Sequence, residues 1–237
     1  MDCRGKKIII TGGSCGYGYG MAKKLKARGA KVWITGRREA ELQKAAAELQ
    51  VDYVVGDVGN GADWDRVFAA AGGVDVLINN AGAGIKIVPL TEYSDEDIER
   101  SITTNLTGAL LGCRRAAQLM KEQKSGLIIN ISSICAHYGW PGFVAYTAAK
   151  AGLDMMSRSL YTELRPYHVR VTVVTPSWGN TNWGVAAGGQ ADTAELNAKK
   201  MSPDQMGDLI VNICETPDHL VFPEIMVQPI VQEVIPF

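Results

Sequence analysis

The stretch Lys7-Ile8-Ile9-Ile10-Thr11-Gly12-Gly13-Ser14-Cys15-Gly16-Tyr17-Gly18 decides the fold. Three consecutive isoleucines suit a strand covered on both faces, because a half-exposed strand would alternate apolar and polar residues. We read that strand over 6–11. Glycines follow at 12, 13, 16 and 18, and a helical pattern runs over 16–28. Glycine allows a tight turn and lets a ligand approach the backbone closely. A helix opening behind such a turn offers free N–H groups and its positive dipole end, which together suit a phosphate. The spacing is T-G-x-x-x-G-x-G, with Gly12, Ser14, Cys15, Gly16, Tyr17 and Gly18 as the phosphate-facing residues. Helix-packing glycines explain such a turn equally well in isolation. Its place directly after the first strand favours the phosphate.

Outward from this unit, β-branched runs predict strands at 31–35, 51–55, 74–79, 126–132 and 169–175, with a weaker one at 225–229. Helical patterns lie between them at 38–49, 62–71, 103–123, 144–164 and 203–214. Strict alternation predicts an α/β fold, a doubly wound parallel sheet of about seven strands with helices on both faces. No repeat or linker interrupts the pattern, so residues 1–237 read as a single domain. The segment 180–202 is rich in Gly, Ala and Asn. It reads as a substrate lid or as a surface excursion, and long loops in compact domains are more often functional, which favours the lid.

The 237 residues carry 24 basic and 25 acidic side chains, a net charge of −1. That balance argues against nucleic-acid and membrane-surface partners. The five cysteines (3, 15, 113, 135 and 214) are odd in number, widely spaced and without a C-x-x-C pair. The three histidines form no metal-spaced pair, so neither a disulfide framework nor a metal site is expected. The first residues lack the apolar region of a secretion signal, and no apolar run is long enough to span a membrane. The expectation is a soluble, cytoplasmic chain.

In open parallel sheets ligands bind beyond the carboxyl ends of the strands. The clusters Thr11–Gly18, Arg37-Arg38, Asp57, Asn79–Gly82, Ser132-Ser133 and Pro176–Thr181 all fall there. Roughly 20 residues past a phosphate loop, an acid would bind the ribose 2′-hydroxyl of NAD, and an arginine would accept the 2′-phosphate of NADP. The second strand ends Thr35-Gly36-Arg37-Arg38. Arg37 can clamp the phosphate and Arg38 can lie on adenine, which predicts NADP(H) over NAD(H). NAD(H) remains the alternative, since Cys15 stands where a basic residue would have helped.

Tyr146 and Lys150 are four apart and share one helix face. A phenol has a free pKa near 10, and a neighbouring ammonium favours its phenolate. The pattern is weak alone, because Tyr19 and Lys23 repeat it with no serine partner. Tyr146 and Lys150 have Ser133 at a strand end 13 residues before the tyrosine. Asn105 lies within the helix predicted from 103, where asparagine is locally unfavourable. Taken by itself, a surface or N-cap role explains it better.

Together these residues resemble the short-chain dehydrogenase/reductase family, over roughly 5–181. The elements are Thr11–Gly18, Asp57, Asn79-Asn80-Ala81-Gly82, Asn105, Ser133 and Tyr146-x-x-x-Lys150. The resemblance implies a Rossmann-type fold and an oxidoreductase that interconverts a ketone or aldehyde and an alcohol. Tyr146 would be its general acid or base. Lys150 would lower the phenol's pKa and hold the nicotinamide ribose. Ser133 would position the substrate oxygen, and Asn105 would hold a water that feeds protons to Lys150. Asp57 and Val58 would contact adenine, and Asn79, Ala81 and Gly82 would flank the adenosine ribose. Pro176, Gly179 and Thr181 would face the nicotinamide, although Ser177 stands where the family usually has glycine.

By position, the substrate pocket would be lined by Gly84, Ile85, Ser133, Cys135, Phe143, Trp178 and Trp183. This lining has no arginine, which favours a small neutral ketone or alcohol. The end Glu224–Gln232 is instead similar to members that oxidise serine and other 3-hydroxy acids with NADP, and to some 3-oxoacyl reductases. Family habit implies a homo-oligomer, a tetramer or dimer, joined through 103–123 and 144–164. An NAD-dependent alcohol or polyol dehydrogenase and a non-catalytic NADP(H) sensor are the competing readings.

Overall fold

The computed structural model describes residues 2–82 and 86–233. Its strands are β1 (Lys7–Thr11), β2 (Lys31–Gly36), β3 (Asp52–Val55), β4 (Val76–Asn79), β5 (Gly126–Ile131), β6 (Val169–Pro176) and β7 (Glu224–Val227). They form one parallel sheet in the order β3-β2-β1-β4-β5-β6-β7, a Rossmann-type doubly wound arrangement. The order in which strands are added reverses between β1 and β4, the switch point beyond whose carboxyl ends such sheets bind ligands. Ile10 pairs with Ile34 on one side and Ile78 on the other.

The helices are α1 (Gly16–Ala27), α2 (Glu39–Leu49), α3 (Gly61–Ala71), α4 (Asp95–Ile102), α5 (Gly108–Gln123), α6 (Val144–Leu164), α7 (Trp183–Ala186), α8 (Ala194–Lys199) and α9 (Pro203–Glu215). The triple isoleucine divides between two cores, as alternation along a strand requires. Ile8 and Ile10 pack with Met21 and Leu25 of α1, Leu42 of α2 and Ile210 of α9. Ile9 faces the other layer, with Trp64 of α3, Met120 of α5 and Leu164 of α6. Helices α1 and α9 approach through glycine. A Cβ on Gly20 would lie 2.0 Å from the Pro203 carbonyl oxygen, and one on Gly207 would lie 2.5 Å from the Gly20 oxygen.

The structure departs from the sequence reading in three places. The helix expected from 103 begins earlier, at Asp95. Ser94 caps it, its hydroxyl accepting from the Asp97 N–H at 3.1 Å, and Asp95, Glu96 and Asp97 suit the positive end of the dipole. Between α4 and α5 the chain makes a π-turn over Thr103–Thr107. The segment 180–202 is not wholly irregular, since it holds α7 and α8, and its ends meet where Asn180 N–H donates to the Met201 carbonyl at 2.9 Å. The last strand is Glu224–Val227 rather than 225–229. Among the described residues, no helix is long and apolar enough to cross a membrane.

Candidate active site

At the crevice, Thr11 and Asn80 stitch β1 to β4. The Thr11 hydroxyl accepts from the N–H groups of Asn80 and Ala81, both at 2.9 Å, and Asn80 Nδ2 donates to the Thr11 carbonyl at 2.9 Å. Gly12 takes φ +66°, and a Cβ on Gly18 would sit 2.2 Å from its carbonyl oxygen. The loop therefore lies flat against the start of α1. Cys15 precedes that helix without a side-chain cap, and its first turn holds no acid. The first turns of α2, α3, α4 and α9 all carry acids. The leading N–H groups of α1 have no intrahelical acceptor, so this end is fitted to an anion such as a pyrophosphate.

Arg37 and Arg38 both border this end. Arg37 Nη1 lies 3.9 Å from Asp57 Oδ2, and Arg38 Nη2 lies 3.8 Å from the exposed Cys15 thiol. Asp57 is positioned by its N–H donating to Asp63 Oδ2 at 2.7 Å. Val58 packs where a Cβ on Gly108 would come within 2.7 Å, and its carbonyl accepts from Trp64 Nε1 at 2.8 Å. Asn79 is turned inward, with Nδ2 donating to Asn130 Oδ1 at 2.8 Å. The asparagine side chain that fastens the loop is therefore Asn80, which the sequence reading quoted without assigning it a role. Thr181 sits over Gly16, with its Cγ2 3.4 Å from where a Cβ there would be. Gly179 is pressed on Tyr17, whose hydroxyl a Cβ would meet at 2.3 Å. Pro176 ends β6 opposite Val227, and the Ser177 N–H donates to the Val227 carbonyl at 3.0 Å.

Ser133 follows β5, and its hydroxyl accepts from the Cys135 N–H at 3.2 Å. Tyr146 of α6 faces it, and both Tyr146 and Lys150 are almost wholly buried. Lys150 Nζ donates to the Ile131 carbonyl at 2.8 Å and stands 5.6 Å from the Tyr146 ring centre. Burial dominates both groups. It raises the Tyr146 phenol well above its ordinary value, with the Cys135 thiol adding to the rise and the Ser133 hydroxyl opposing it. It lowers the Lys150 ammonium to about 8, against the pull of Asp154 and Cys135.

Asn105 sits on the π-turn. There the Gly108 N–H reaches back five residues to the Thr103 carbonyl. Asn105 Nδ2 donates to the Ser101 carbonyl at 2.9 Å, supplying a bond that a π-turn withholds from the backbone. Its Oδ1 is buried and without a partner. That oxygen lies 3.2 Å from the place of a Cβ on Gly82. A cavity of about 10 Å³ joins Asn105 to Lys150, Thr11 and Ala81. That is about the space of one water.

Aromatic rings cover the phenol. Trp183 of α7 lies 5.1 Å from the Tyr146 ring centre, and Phe143 meets it edge-on at 6.4 Å. Cys135 and Trp140 complete this cluster. Trp178 lies outside the cluster, 42% exposed, with Lys200 Nζ 5.8 Å from its ring centre. Gly84 and Ile85 lie outside the described residues. The second tyrosine–lysine pair is bound elsewhere, Tyr19 to Glu48 and Lys23 to Asp204. A cavity of about 340 Å³ opens at the opposite, amino end of the sheet, beside Lys7, Lys31 and Trp33, away from all these groups.

The sequence profile of the short chain dehydrogenase family matches residues 6–190. The 3beta-hydroxysteroid dehydrogenase 1 of Eggerthella lenta is 35% identical over 192 residues, covering 76% of this chain and 73% of that protein. The closed form of a serine dehydrogenase complexed with NADP+ superposes with a TM-score of 0.89 at 28% identity, covering 97% of each chain. A metagenomic short-chain oxidoreductase in complex with NADP superposes at 0.82 and 29% identity, over 98% of this chain and all (100%) of the other. The chain belongs to the short-chain dehydrogenase family and is an oxidoreductase.

Proposed function

We propose that the chain interconverts a ketone and a secondary alcohol with NADP(H), Tyr146 serving as general acid or base. The observation that carries this reading is the meeting of Ser133, Tyr146, Lys150 and Asn105 beside an uncapped helix end at one sheet edge. When bound, the cofactor supplies or accepts the hydride. The chain's own residues orient the carbonyl and move the proton. In this reading the Ser133 hydroxyl holds the substrate oxygen against the phenol. Tyr146 then donates its proton to that oxygen in reduction, or accepts one from the alcohol in oxidation. The unpartnered Asn105 Oδ1 and the small cavity support a bound water that passes protons to Lys150.

The proton positions give a sign for pH. Burial keeps the Tyr146 phenol protonated at neutrality, and Lys150 stays charged below about 8. Carbonyl reduction is expected to be flat through neutral pH and to fall above about 8, as the ammonium is lost. Alcohol oxidation needs the proton removed and is expected to rise over the same interval. Initial rates in both directions across pH 6–10 check this, and parallel profiles would count against Lys150 as the group whose proton the two directions share.

Two neighbouring structures are NADP complexes, which supports NADP(H) here. Arg37 and Arg38, with no acid at the end of β2, support the same choice. Arg37→Glu is expected to weaken NADPH binding about ten- to hundredfold, the loss of one charge-assisted contact plus a repulsion, and to affect NADH far less. Tryptophan-fluorescence titration with each nucleotide measures it. Equal weakening would remove the assignment.

The rings of Trp183, Phe143 and Trp140 around Tyr146 support a neutral substrate with an apolar body. A 3-hydroxy acid is the second reading, favoured by the likeness to a serine dehydrogenase. A panel of cyclic ketones and 3-oxo acids, followed by NADPH consumption, separates the two. Exposed Leu110 on α5 and Val144 and Met155 on α6 support self-association through these helices.

A further inference from the structure

We propose that His137, Asp154 and Glu224 form a binding site for a divalent transition-metal ion of the zinc type. The three residues come from the turn after β5, the middle of α6 and the first position of β7. None belongs to the family motif. His137 Nε2 lies 2.8 Å from Glu224 Oε1 and 3.3 Å from Asp154 Oδ2. All three donor atoms lie within 4.8 Å of one another. A tetrahedral zinc ion with bonds of about 2.0–2.2 Å holds its donors roughly 3.3 Å apart, so small shifts admit the ion.

Each carboxylate is already half committed. Asp154 Oδ1 accepts from the Ser132 hydroxyl, and Glu224 Oε2 is held by Arg158 Nη2 at 2.9 Å. Outer bonds of this kind orient metal-binding carboxylates. They leave Asp154 Oδ2 and Glu224 Oε1 both turned to one imidazole nitrogen. That nitrogen carries at most one proton and can donate it to one oxygen only. Asp154 Oδ2 is the loser: its side chain is 9% exposed and that oxygen accepts no hydrogen bond. A buried carboxylate oxygen without a donor is costly, and a cation shared by all three groups satisfies it. One imidazole and two carboxylates also match the charge and ligand preference of zinc, with water in the fourth position.

Asp154 is one helical turn beyond Lys150, so an ion here ties α6, the turn bearing Ser133 and the start of β7 together. The test is calorimetric titration of the full chain with ZnCl2, with MgCl2 as the control, and the visible spectrum of the Co2+ form. The expected result is one zinc per chain, a higher melting temperature, no response to Mg2+, and cobalt bands without a thiolate charge-transfer component. His137→Ala, at an exposed position, and Glu224→Gln, at a half-buried one, should each weaken zinc binding by more than about tenfold. NADPH titration of the same variants verifies that they are folded. No stoichiometric zinc, a cobalt spectrum of thiolate type, or binding that survives His137→Ala would each overturn the proposal and leave the cluster an ion pair only.

Discussion

Tyr146→Phe is expected to lower kcat for carbonyl reduction about 10²- to 10⁴-fold, the range that a positioned general acid contributes. NADPH affinity should be nearly unchanged. The substitution removes one oxygen from a ring wedged between Trp183 and Phe143, so packing around the site is preserved. What is lost is the proton donor beside Ser133. Single-turnover rates and a fluorescence titration on the same preparation measure both quantities. A variant that reduces ketones as fast as the parent would deny Tyr146 its role. A parent with tight NADPH binding and no turnover on any carbonyl would favour the sensor reading.

The second large effect concerns stability. Gly20→Val is expected to destabilise the chain by about 2–3 kcal/mol, the upper part of the overpacking range. The first added carbon would lie 2.0 Å from the Pro203 carbonyl oxygen, and that oxygen belongs to backbone at the head of α9. No rotamer relieves it, so α1 and α9 must part. Parting them also loosens the packing of Met21, Leu25 and Ile210 on the sheet. For a chain of this size the melting temperature should drop roughly 5–10 °C. Calorimetry of the variant decides it, and an unchanged melting temperature would mean that the seam adjusts freely.

The sheet was readable because its signal is local. Ile8 to Ile10 can only be a doubly buried strand, and glycine spacing marks the turn that follows it. The residues meeting at the carboxyl edge were readable for the same reason, since strand ends fix where they emerge. Helix α4 announces itself only by Ser94 followed by three acids, and its eight residues hold just two isoleucines, too little apolar periodicity to mark a helix. Asn79 and Asn80 are adjacent, and only strand phase decides which one faces the core. The aromatic cover over Tyr146 draws Trp183 from α7 and Phe143 and Trp140 from the turn before α6. His137, Asp154 and Glu224 are separated by 17 and 70 positions, counted directly along the chain. Spacing rules for metal ligands see only neighbours in sequence, so such a group is invisible until the sheet brings it together.

The π-turn at Thr103–Thr107 works like a missed tooth in a gear. It adds one residue to a helix that otherwise advances about 100° per residue, so everything before it is out of phase with everything after. Downstream, Gly108, Gly112 and Ala116 keep the beat that presses α5 on the sheet. Upstream, Asp97, Ser101 and Asn105, four apart, are buried, and Ala109 and Cys113 carry that spacing on beyond the turn. Trimming the surplus residue would give a more regular rod with every backbone bond made. It would also turn Asn105 by about 100° relative to α5, and Asn105 shares the lining of one small cavity with Lys150.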